Sequence, residues 1–253
     1  MSSRLALLRA PLALFTFAVA ASFAVAQSSP TWFKFQFGAD HAAPGYTLVP
    51  ATAAYSKEAG FGFEPGAAVT VAAQDAGEPL HRGAVVGSGT APFSFSVAVP
   101  EGNYRVTVTL GDPKAEAMST VKVETRRLVV EHVHTGAGQF VARTFTVNVR
   151  GPQISTGGEV NLDSRERNLT TGVVIARHWD DKLSIALSDT HPALAAIEIT
   201  KVNDAVTFFI TGDSTVTDQG GGGSSWVRWR RAGSIPRWRW RTTPSRARRS
   251  RVS

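Results

Sequence analysis

A serine that follows directly on a buried strand can serve as a nucleophile, and the chain holds one at Gly212-Asp213-Ser214-Thr215. It comes straight after the apolar run Val206-Thr207-Phe208-Phe209-Ile210. Such a continuous run reads as a strand buried on both faces of a mostly parallel sheet. In open α/β sheets the carboxyl edge of the strands is where binding and chemistry sit. A serine hydroxyl needs a neighbouring histidine base, itself oriented by a carboxylate. Neither follows here: no histidine lies beyond His191, and the only carboxylate after Ser214 is Asp218. Asp213 is expected to hold the turn by hydrogen bonds rather than act as a base. The plainer reading of Ser214 itself is a cap on a following helix.

Two further groupings could bind. Trp179-Asp180-Asp181 offers an aromatic face for a sugar ring beside carboxylates for its hydroxyls, although a tryptophan plugging the core and a solvated acidic loop would look the same. Asp75, Glu78, Asp112 and Glu116 could contribute oxygen ligands to a structural Ca²⁺, a kind of site that spacing alone does not define. No other cofactor is expected. The six histidines all lie at or before His191, where surface or turn roles are the expectation. With no cysteine, disulfides, thiol nucleophiles and Cys-ligated zinc are excluded.

Charge divides the chain. The net charge is +7, yet residues 226–253 carry ten arginines and no acid, and the first 26 residues carry Arg4 and Arg9 and no acid. Residues 27–225 therefore sum to −5, so the basic character belongs to the two ends. Arg4 and Arg9, the apolar stretch Leu12 to Phe23, and Ala24-Val25-Ala26 before Gln27 read as a signal peptide cleaved after Ala26. The expectation is a secreted or periplasmic protein with no membrane insertion after cleavage.

The elements that must position these groups are mostly strands. Phe33, Phe35 and Phe37 alternate onto one face of Trp32–Phe37. A Gly/Pro/Ala-rich stretch with short strands follows. Phe93–Val99 alternates up to Pro100, and Tyr104–Leu110 alternates again after Glu101-Gly102-Asn103, which predicts an antiparallel hairpin. Strands are also expected at 119–124, 127–133, 140–149, 160–162, 182–187 and 194–199. Short strands at this spacing, with no convincing amphipathic helix between them, predict a mainly β fold, an antiparallel β-sandwich.

Thr211-Gly212-Asp213-Ser214-Thr215-Val216-Thr217-Asp218 resembles the first block of the SGNH (GDSL-type) hydrolases, most closely the rhamnogalacturonan acetylesterase branch. Phe33–Gly38, Pro100–Val106 and Trp179–Leu183 are similar to the galactose-binding-like β-sandwich that precedes some of these esterases. The resemblance implies a serine carboxylic-ester hydrolase removing acetyl groups from pectic polysaccharide in plant cell walls. It implies Ser214 as nucleophile and as one oxyanion N–H donor, with Gly212 and Asp213 supporting the turn. The family's Asp-x-x-His and its later oxyanion blocks have no counterpart after Gln219.

The segment from Trp226 to Ser253 alternates arginine with tryptophan, as in Arg237-Trp238-Arg239-Trp240-Arg241. It could bind nucleic acid or an anionic membrane, or be a disordered basic tail. A frameshift explains more: back-translated and read two bases later, residues 233–253 can yield an apolar strand leading into N-x-A-x-x-G, the family's next block. No nucleic-acid partner is expected on that reading. The expected organisation is a signal peptide (1–26), a galactose-binding-like sandwich (27–201), the first strand and turn of an incomplete α/β (SGNH, flavodoxin-like) domain (202–225) and an aberrant tail (226–253). The function expected is a carbohydrate esterase in truncated, inactive form; the alternatives are a carbohydrate-binding sandwich and a cationic tail that binds nucleic acid or membrane.

Overall fold

The computed structural model describes residues 32–88, 92–124, 127–151, 153–158 and 180–207. Within them, strands follow where side chains alternate between faces, and two sheets share one core. In chain order the strands are β1 (Trp32–Phe37), β2 (Thr47–Val49), β3 (Phe61–Phe63), β4 (Val69–Ala73), β5 (Gly83–Gly87), β6 (Phe93–Ala98), β7 (Gly102–Leu110), β8 (Ala117–Val123), β9 (Arg127–Thr135), β10 (Val141–Val149), β11 (Lys182–Ser188) and β12 (Ala193–Val202). The first sheet runs β10-β7-β12-β1-β2, with β5 joining β12 and carrying β4; the second runs β3-β6-β11-β8-β9. Apart from the parallel β1–β2 pair, the strand pairs are antiparallel. The mainly β sandwich expected from the sequence is what forms.

Alternation decides what enters the core. Phe35 and Phe37 from β1 meet Phe95 from β6 at 5.3 and 5.1 Å in edge-to-face contacts, and Phe63 reaches the same ring at 5.4 Å. Such pairs add about 0.5–1.5 kcal/mol beyond the area they bury. Phe95 is fully buried, so truncating it to alanine would cost about 3–5 kcal/mol. The end of β1 also lies directly against β5. Gly38 has φ +69°, and a Cβ there would collide with the Ala84 backbone; one on Gly83 would strike Gly38. Glycine is required at Gly38 for both conformation and space.

The expected hairpin does not form. β6 pairs with β3 and β11, whereas β7 pairs with β10 and β12, so Val99–Glu101 carries the chain from one sheet to the other. Pro100 has no N–H for a ladder, and its carbonyl accepts from the Tyr104 hydroxyl at 2.6 Å, pinning the crossing. Phe93, Phe95 and Val97 therefore face Tyr104, Val106 and Val108 across the core. Alternation marks the apolar face of each strand, and strands on opposing sheets share that pattern with strands side by side.

β12 ends at Val202, and the chain then bends at Asn203-Asp204. Val206, expected to open a buried strand, is 78 % exposed and irregular. Its neighbour Thr207 donates its hydroxyl to the Asn103 side chain at 2.9 Å, and Asn103 donates to the Ala205 carbonyl at 3.0 Å. These polar bonds tie the exit to the end of β7 instead of placing it in a sheet. Phe208–Ile210 and the expected strand at 160–162 lie outside the described residues.

Candidate functional site

Three separate stretches bring a phenol, two carboxylates and an ammonium together where β11 begins. The loop before β3 is pressed onto that strand: Tyr55 N–H donates to the Phe63 carbonyl at 2.8 Å, and Gly62 lies so close to Ala54 and Tyr55 that no side chain fits there. Glu64 follows β3 at once, with its N–H held by the Ser94 carbonyl at 2.9 Å. Asp180 accepts the Lys182 N–H at 3.2 Å, which shapes the turn into β11. Lys182 Nζ then lies 2.9 Å from Glu64 Oε1, 3.6 Å from Asp180 Oδ2 and 4.7 Å from the centre of the Tyr55 ring.

The electrostatics follow from partial burial. For Lys182 burial opposes the charge, but the Glu64 hydrogen bond and the two carboxylates outweigh it, so its pKa rises. Asp180 is also raised, because burial there exceeds the help from Lys182. Tyr55 is raised chiefly by burial, against the pull of Lys182. Tyr55, Asp180 and Lys182 are only half-buried and Asp181 is exposed, so the group meets solvent with donors, acceptors and an aromatic ring. Chemically it suits hydroxyl-rich ligands: carboxylates accept from sugar hydroxyls, the ammonium donates, and the ring offers an apolar face.

Nearby on the same sheet, Glu124 is buried with φ +50°. Its Oε1 accepts the Ser184 N–H at 3.1 Å, and its Oε2 has no hydrogen-bond partner. Burial pushes its carboxyl up to about 8, opposed by the Ser184 bond and by Arg127 and Arg150. A second polar cluster sits at the other end of β11. Asp189 there accepts from the Thr120 hydroxyl at 2.8 Å and lies 2.6 Å from His132 Nδ1, while His191 Nε2 lies 2.7 Å from Asp112. Three residues of this turn region, His132, Asp189 and His191, have positive φ. These histidines clasp strands and turns, in the roles expected for them.

Of the sequence-derived candidates, Asp180 and Asp181 belong to the first cluster. Trp179, their expected aromatic partner, lies outside the described residues, as do Gly212, Asp213 and Ser214. The four carboxylates considered for Ca²⁺ are not gathered. Glu78 pairs with His81, Glu116 with His134, and Asp112 bonds Lys114 N–H, Ala115 N–H and His191. Among the described residues there is no group of three or more His, Asp or Glu arranged for a metal ion. Nor, among them, is any helix long and apolar enough to cross a membrane. Sequence reasoning missed Tyr55, Glu64, Lys182 and Glu124 as site residues. The signal available was Phe61-Gly62-Phe63-Glu64, where a glycine between two core phenylalanines marks a close backbone approach next to a charge.

Residues 33–156 match the family described as beta-agarase/YXIM esterase-like, galactose-binding domain-like. The chain is 29 % identical over 198 residues to "Uncharacterized esterase YxiM" of Bacillus subtilis (strain 168), covering 76 % of this chain and 44 % of the relative. The crystal structure of YxiM from Bacillus subtilis superposes with a TM-score of 0.50 at 26 % identity, covering 74 % of this chain and 45 % of that one. The chain thus spans less than half the length of the relative it matches. Residues 33–156 are similar to the galactose-binding-like domain of the beta-agarase/YXIM esterase-like family, and the two sheets form a sandwich of that fold.

Proposed function

We propose that the sandwich is a carbohydrate-binding domain that holds a polysaccharide for ester hydrolysis. The observation that carries this reading is the group in which half-buried Tyr55, Asp180 and Lys182 gather over the buried Glu64 carboxylate on a galactose-binding-like domain. Similarity to an esterase supports the same assignment. Within this reading the polysaccharide is pectic, and the protein is exported through its N-terminal segment. The hydrolase is of the SGNH, rhamnogalacturonan acetylesterase type, with Ser214 at the nucleophile position. On this reading the chain itself binds polysaccharide without hydrolysing it.

Affinity electrophoresis of the full chain through gels containing pectic galactan, rhamnogalacturonan and unrelated glucans tests the binding. Retardation by a pectic polymer, reduced by Tyr55→Ala and by Lys182→Met, is expected; free migration through every gel sinks the proposal. Hydrolysis of p-nitrophenyl acetate that disappears in Ser214→Ala would overturn the inactive assignment.

A further inference from the structure

The outer face of the sheet containing β1, β12, β7 and β10 is closed at one end and open at the other. At the closed end Gln36 is buried: it donates to the Pro79 carbonyl at 2.6 Å and accepts the Ala43 N–H at 2.6 Å. Ala196, opposite it on β12, is buried too. At the open end the register lines up Trp32, Thr200, Arg105 and Thr146 in one row across four strands. Their strand neighbours Ile199, Tyr104 and Val147 enter the core, so these four point outward. Trp32 is 57 % exposed, and Arg105 and Thr146 are exposed beside it.

Charge on this face is unequal. In the adjacent row Lys34 lies 3.3 Å from Glu198, which also accepts from the Tyr46 hydroxyl at 2.6 Å, and these two charges cancel. Arg105 is left over: among the described residues it has no ion-pair or hydrogen-bond partner. An exposed indole and an uncompensated guanidinium thus stand two strand spacings apart, about 10 Å, with the Thr200 hydroxyl between them. A guanidinium fork matches a carboxylate, and an indole matches the C–H face of a pyranose.

We propose that this row is a second carbohydrate-binding surface, specific for a polysaccharide that carries uronate groups. Trp32 stacks on one sugar ring, Arg105 pairs with the carboxylate of a neighbouring one, and Thr200 and Thr146 bond the hydroxyls between. The inference rests on the reading that the sandwich binds polysaccharide, and it adds a surface independent of Tyr55 and Lys182.

The experiment measures binding of the full chain to polygalacturonate and to neutral galactan, by calorimetry at low and high salt. Arg105→Gln should weaken polygalacturonate binding about tenfold or more and leave galactan binding unchanged. Trp32→Ala should weaken polygalacturonate binding as well, whereas Tyr55→Ala should weaken galactan binding more than polygalacturonate binding. High salt should weaken the parent but not Arg105→Gln. All three substitutions lie on exposed or half-exposed positions, and equal thermal melting of each variant confirms the fold. If the parent and Arg105→Gln bind polygalacturonate equally, or if only Tyr55→Ala reduces it, this surface is refuted while the binding function stands. A parent that binds galactan but not polygalacturonate refutes the surface in the same way; one that binds no polysaccharide removes the proposed function too.

Discussion

Glu124→Gln should convert a pH-sensitive contribution to stability into a flat one. In the fold this carboxyl is buried and its pKa is pushed from 4.5 up to about 8. The folded state therefore keeps its proton to higher pH than the unfolded chain does. The resulting stabilisation is fully present below about pH 4.5, declines as pH rises, and is lost above about pH 8. The separation of the two values corresponds to about 5 kcal/mol. Glutamine keeps an oxygen that can accept the Ser184 N–H and cannot ionise, so it retains the bond without the titration. Asp180, whose pKa is also raised, is present in both proteins and drops out of the comparison. Urea unfolding of parent and variant between about pH 5 and pH 9 gives the difference in unfolding free energy at each pH. That difference should move in favour of the variant by several kcal/mol across the window. A constant difference would mean that Glu124 ionises in the fold as it does in water, and would refute the burial argument.

Two other outcomes can be checked directly. Asp189 responds in the opposite sense: burial opposes its charge, but hydrogen bonds from Thr120 and Thr190 and the His132 ring hold its carboxyl below the ordinary range. Its contribution is therefore present above the unfolded value of 3.8 and is lost as pH falls through the lower folded value. Asp189→Asn should destabilise the neutral protein and flatten the acid limb of its unfolding profile, followed by circular dichroism. Gly38→Ala should lower stability by about 3 kcal/mol or more, since both the positive φ and the Ala84 backbone oppose a side chain; an unchanged melting temperature would contradict the close approach of β1 and β5.

Much of the architecture was legible because a half-buried strand writes its two faces into the chain. Phe33-Lys34-Phe35-Gln36-Phe37 and Tyr104–Leu110 announce themselves in this way. Partner choice is not written so locally, which is why β6 and β7 read as a hairpin and stand on different sheets. β5 escaped for a different reason: Gly83-Ala84-Val85-Val86-Gly87 is buried at every position and has no alternation to show. The cluster around Lys182 was half legible. Asp180 and Asp181 could be suspected from their place beside an aromatic residue, but Glu64 lies 118 residues from the Lys182 it pairs with. Only the packing of β3 near β11 supplies that contact. Glu124 is buried by the packing of its sheet, which nothing in its neighbouring residues announces.

The position of β12 between β1 and β7 has a consequence for biosynthesis. The first of the described strands to leave the ribosome finds its antiparallel neighbour only when the last of them, Ala193–Val202, has emerged. Until then β1 and β7 each present an open edge in the middle of what will become one sheet. Co-translational folding can begin in β7–β10 or β8–β9, which are close in sequence, but the first sheet cannot close. A ribosome that pauses before codon 193 would hold out two unpaired, apolar-faced strands, the kind of surface that chaperones shield from edge-to-edge association.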